Sequence, residues 1–177
     1  MVLWLLPPFK QYGTEYFYFF VVLAAADPIM VSAYYILRIQ PQIIAPFTLL
    51  ILIASMRLKK LLWLPFAFVF LFILIWFSRE SKIALPLINS FCHFVVFMMI
   101  ISRLIDQLSK RQLLSGFLVL LSVYELINVL KTIIVITDIL NGLTQFYIAS
   151  FFQILFGLLF SFISVKSSRL DFKLVKD

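Results

Sequence analysis

Four ionisable side chains lie inside long apolar stretches: Asp27 in "AAADPIM", His93 in "LINSFCHFV", and Glu125 and Lys131 in "SVYELINVLKT". A charged group at the middle of a membrane helix costs at least about 2.5–3.5 kcal/mol on insertion scales, so each needs a reason. Two carboxyl groups and an imidazole at one depth could sense or carry a proton, or hold a small polar ligand. At about 100° per residue, Tyr124, Glu125, Asn128, Lys131 and Thr132 share an arc of about 120°, a polar stripe that must face protein or water. Glu125 and Lys131 still point about 120° apart, with about 9 Å of rise between them, so neither neutralises the other. Lys131 stands near the end of its helix, and its long stem suits it to be an interface anchor. Glu125 is deeper and shorter, and needs a partner on another helix: His93, Asp27, or the head group of a lipid or ligand.

Asn89 precedes His93 by four residues and shares its helix face. The candidate intramembrane site is therefore Asp27, Asn89, His93, Tyr124, Glu125 and Asn128. Each also has a purely structural reading. Pro28 removes a backbone bond and kinks the helix at Asp27, where a neutral carboxylic acid could satisfy the freed carbonyl of Ala24. His93 and Glu125 could serve as interhelical hydrogen bonds.

Other chemistry is excluded by inventory. One histidine and scattered single acids make no metal site, and Cys92 is the sole cysteine. No GxSxG, HExxH, GxGxxG or GxxxxGK[ST] occurs. No cofactor, metal or enzymatic activity is expected.

The elements that must position these residues follow from solvent. The chain has 177 residues, 64% of them hydrophobic and 13% charged, with mean hydropathy +1.10. A soluble domain has about 25% charged residues, and one of this size cannot hide such an apolar excess. The expected fold is an all-α integral membrane protein, a single polytopic helical bundle with short loops. Its spans are predicted at about 16–37, 39–56, 61–78, 83–101, 116–136 and 143–165, followed by a short basic tail, 166–177. The apolar window of the second segment, 43–56, is short and reaches 39–56 only by including Pro41 and Pro46, and five spans result if it does not cross. Pro46 is expected in the first turn of that helix. "MVLWLLPPFK" has no basic n-region and too short an apolar run for a cleaved signal, and Trp4 suggests an interfacial anchor.

The net charge of +7 is distributed unevenly. With six spans, eleven Lys and Arg fall on one side: Lys10, Arg57, Lys59, Lys60, Arg103, Lys110, Arg111, Lys166, Arg169, Lys173 and Lys176. Three fall on the other: Arg38, Arg79 and Lys82. With five spans Lys10 and Arg38 exchange sides and the split is unchanged. Either way the C-terminus is expected on the cytoplasmic, inside face. The basic residues read as orientation signals and as contacts for anionic lipid, so no nucleic acid is expected as a partner. The partners expected are the bilayer and possible docking of another membrane protein on the tail. There is no GxxxG pair and no internal repeat, which counts against an inverted-repeat transporter. The leading functional expectation is a non-enzymatic membrane component that senses a ligand or binds a partner. The alternatives are a small transporter or channel for protons or a small polar solute, and a structural subunit of a larger membrane complex.

Overall fold

A computed structural model describes residues 2–56, 61–78, 81, 83–137, 142–166 and 171–173. Arg57, Lys59, Lys60, Arg79, Lys82, Arg169 and Lys176 lie outside the described residues. A 3-10 turn, Val2–Leu5, leads into α1 (Leu6–Lys10), followed by α2 (Phe17–Leu37) and α3 (Pro41–Met56). A second turn, Leu61–Trp63, leads into α4 (Leu64–Ser78), then α5 (Ala84–Arg111). The strand β1 (Leu113–Ser115) precedes α6 (Gly116–Thr137), α7 (Gly142–Phe162) and β2 (Asp171–Lys173). Phe17–Leu37, Ala84–Lys110 and Gly116–Thr137 are long and apolar enough to cross a membrane; Pro41–Met56, Leu64–Ser78 and Tyr147–Phe162 are shorter apolar helices.

The bundle's two ends differ. One gathers the start of α2 and α6 and the end of α3, α5 and α7. Arg103 is its knot: the guanidinium donates to Glu15 Oε2 (3.2 Å) and to the Met56 carbonyl, and lies 5.2 Å from the centre of the Tyr16 ring. Beneath it, Phe19, Phe20, Phe117, Phe156 and Phe160 form a buried aromatic core. Phe20, Phe117 and Phe160 meet pairwise with ring centres 5.1–6.2 Å apart, tilted or edge-on, as aromatic quadrupoles favour. By contrast Phe66, Phe70 and Phe77 of α4 stand exposed, an apolar face suited to lipid.

Three elements depart from the sequence expectation. First, α5 runs ten residues past the apolar window ending at Ile101, to Arg111. Hydropathy marks where the solvent changes, whereas the helix stops where the backbone does, at Gln112 with φ +50. That left-handed residue returns its N–H to the Leu108 carbonyl, which closes the last turn. Second, Pro41, not Pro46, occupies the start of α3; Pro46 lies inside the helix, where it removes the bond to the Gln42 carbonyl. Third, Trp4 is no surface anchor. It is 6% exposed, with its ring centre 5.3 Å from that of Tyr124 and 6.4 Å from that of Phe160. The indole packs close against Gly157, where a Cβ would stand 3.5 Å from Nε1, in ordinary van der Waals contact. Part of the tail is also used internally, since Asp171–Lys173 pairs antiparallel with Leu113–Ser115.

Gln11 holds the N-terminal segment against the end of α7. Fully buried, its Nε2 donates to the Ile163 carbonyl (2.7 Å), while its Oε1 accepts from Val165 N–H (3.3 Å) and Ser164 Oγ (3.4 Å). Gln11→Leu keeps the volume but strips partners from buried backbone groups, at about 1–3 kcal/mol each. Thermal unfolding in mild detergent should show a loss of about 2–4 kcal/mol, whereas Thr14→Ala, at a half-buried turn, should cost less than about 1 kcal/mol.

Candidate functional site

His93 and Glu125 meet. His93 Nδ1 lies 2.8 Å from Glu125 Oε2, across the interface between α5 and α6. The Glu125 side chain is 0% exposed and that of His93 18%. The second carboxyl oxygen, Oε1, is buried with no hydrogen-bond partner among the described residues. Because Nδ1 is engaged by the Glu125 carboxyl, the ring's orientation is set and Nε2 is left free of that contact.

His93 borders a cavity of about 300 Å³, walled by α2, α3, α5, α6 and one residue of α7, and reaching from mid-bundle toward the end away from Arg103. Five of the six candidate residues line it: Asp27, Asn89, His93, Tyr124 and Asn128. Glu125 stands behind His93 and orients it. Gln42, Thr48, Lys131, Thr132 and Gln153 add polar wall that sequence reasoning had not assigned to a site. The α6 stripe could have signalled Lys131 and Thr132. Nothing in the sequence marks Gln42, Thr48 or Gln153, because each needs its helix placed against the others. Trp4 forms part of the deep wall, so the N-terminal segment closes the cavity from below.

Two buried polar atoms in the chamber wall lack a partner among the described residues. Asp27 and Asn89, on α2 and α5, present acceptors; the Asn89 Oδ1 is buried and unpartnered. Asn128 and Lys131, one turn apart on α6, present donors. The buried Asn128 Nδ2 stands near the Tyr124 phenol without hydrogen-bonding geometry. Lys131, expected at the interface, is half-buried in the wall, where it feels the charge of Asp27. Polar groups are costly to bury unpaired, so a cavity holding several is built for polar contents.

No protein-family model, no curated protein and no solved structure matches the chain. Among the described residues no group of three or more His, Cys, Asp or Glu could hold a metal ion.

Removing one member of a buried hydrogen-bonded ionisable pair strands the other, at about 3–5 kcal/mol, whereas replacing both with apolar groups is often neutral. His93→Leu should therefore destabilise by about 3 kcal/mol or more and Glu125→Leu by a similar amount. The double variant should recover most of the loss. A double-mutant cycle by chemical unfolding reads this directly; additive single losses would mean that the two side chains act independently.

Proposed function

We propose that the chain is a polytopic membrane protein of six spans that binds a small polar group inside its bundle, as a non-enzymatic ligand-sensing or ligand-holding component. The observation that carries this reading is the cavity of about 300 Å³ with unpartnered Asn89 and Asn128 atoms in its wall and the His93–Glu125 pair at its edge. A chamber of this size suits a small ligand. Binding would give the orphaned groups partners, and His93 Nε2 would add a contact that can gain or lose a proton. In this reading Lys10, Arg103, Lys110 and Lys166 mark the cytoplasmic end, where they contact anionic lipid, and the C-terminus lies inside. Trp4 across the deep end favours a closed binding chamber over a conduit, so reconstituted protein should pass neither protons nor solute.

Chemical labelling tests the reading. With Cys92 replaced by alanine, Thr132→Cys in the cavity wall should react with a water-soluble thiol reagent in intact membranes. Ile133→Cys, 42% exposed on the outer face of α6, should stay protected by lipid. Small polyols, amino acids and phosphate esters are then screened for slowing of the Thr132→Cys reaction. A Thr132→Cys that stays unreactive both in membranes and after delipidation would overturn the chamber, and proton flux in liposomes that Glu125→Gln abolishes would replace it with the transporter reading.

A further inference from the structure

The gap between α6 and α7 is filled at one end and empty at the other. Near the Arg103 end it holds the Trp4 indole, wedged between Tyr124, Phe160 and Gly157. Further along, α6 and α7 leave a groove of about 230 Å³ walled mainly by aliphatic and aromatic side chains, including Ile127, Leu130, Ile134, Ile148, Ala149 and Phe152. Leu130 and Ile148 on its rim are 48% and 43% exposed, so the groove is open to the bundle's surroundings. This groove adjoins the polar chamber: Tyr124, Asn128, Lys131 and Gln153 belong to the walls of both.

An apolar slot open to the side, set against a chamber whose wall holds an unpartnered acceptor, Asn89 Oδ1, and an unpartnered donor, Asn128 Nδ2, suits one kind of occupant. We propose that the two cavities form a single phospholipid site. An acyl chain lies in the α6–α7 groove. The phosphate meets the α6 donors, Lys131 and the Asn128 amide, at the junction. The terminal group of the head, an ammonium or a hydroxyl, donates to Asp27 and Asn89 across the chamber. Lys131 lies six residues before the end of α6, about 9 Å along the axis, and the groove runs past it from Ile134 to Tyr124. A free solute would leave the groove empty, and a hydrocarbon would leave Lys131 and Asn128 unpartnered. The proposal rests on the chamber reading above and names its contents.

The test uses the full chain, delipidated in detergent and titrated with dioleoyl phospholipids by native mass spectrometry. One phosphatidylethanolamine or phosphatidylglycerol should bind per chain, and the preference between them separates ammonium from hydroxyl. Phosphatidylcholine, whose methylated head cannot donate, should bind at least tenfold more weakly. Lys131→Gln and Ala149→Phe, which remove the phosphate contact and block the groove, should each weaken binding about tenfold. Ala149→Leu, a smaller intrusion, should give a lesser loss if the phenylalanine variant does not fold. The same lipids should slow labelling of Thr132→Cys. Wild-type lipid binding in both Lys131→Gln and the folded Ala149 variant would overturn the proposal. So would labelling slowed by glycerol 3-phosphate but by no lipid, a result that leaves the chamber reading intact. A Thr132→Cys that stays unlabelled in the delipidated protein would instead remove the chamber itself.

Discussion

A carboxylate with no exposed surface allows few arrangements. Glu125 must face something that can share its charge or its proton, and the nearest solution is the Nδ1 of His93. Because both helices are rigid at that point, the contact fixes the rotation of α5 relative to α6 and their register along the axis. Asn89, one turn before His93, and Asn128, near one turn after Glu125, are thereby set along the walls of the same chamber. Buried pairs of this kind add little net stability over a well-packed apolar core, since desolvation offsets attraction. What this one supplies is a single register among the many that two greasy helices could adopt.

The ends of the bundle use different physics. At the Arg103 end, one guanidinium joins three segments through a carboxylate, a backbone carbonyl and an aromatic face, above a close aromatic core. The opposite half has small and β-branched residues at the chamber wall, such as Ala26, Ala45, Thr48 and Val135, and leaves space between them. Rigidity at one end and room at the other is the pattern expected where a scaffold must hold its shape around variable contents.

Much of this was legible in the sequence. Apolar length alone placed α2 and α6 to within a residue at each end, because nothing but lipid-compatible helix suits such runs. His93 stood among three possible partners of Glu125, since an isolated acid at that depth restricts the choice. The legible part ended where neighbouring helices decide. Trp4 looks like an interface residue because indoles favour that location, whereas its burial beside Tyr124, Phe160 and Gly157 depends on how α6 and α7 sit together. Lys131 has the reach for the interface, and its place on α6 also puts it in the chamber wall with Asp27. The helix α5 continues past its apolar window because its last ten residues are polar enough for water and remain good helix formers.

The N-terminal segment has a consequence for the order of assembly. Its anchoring bonds join Gln11 to Ile163, Ser164 and Val165, more than 150 positions further along the chain. A polypeptide is made from its N-terminus, so Trp4 and Gln11 must wait for α7 to be synthesised and placed before their native neighbours exist. A segment made more than 150 residues ahead of its partners is thus among the last to find its final contacts. Until then the space between Tyr124, Phe160 and Gly157 stays vacant, and the chamber lacks the Trp4 part of its wall.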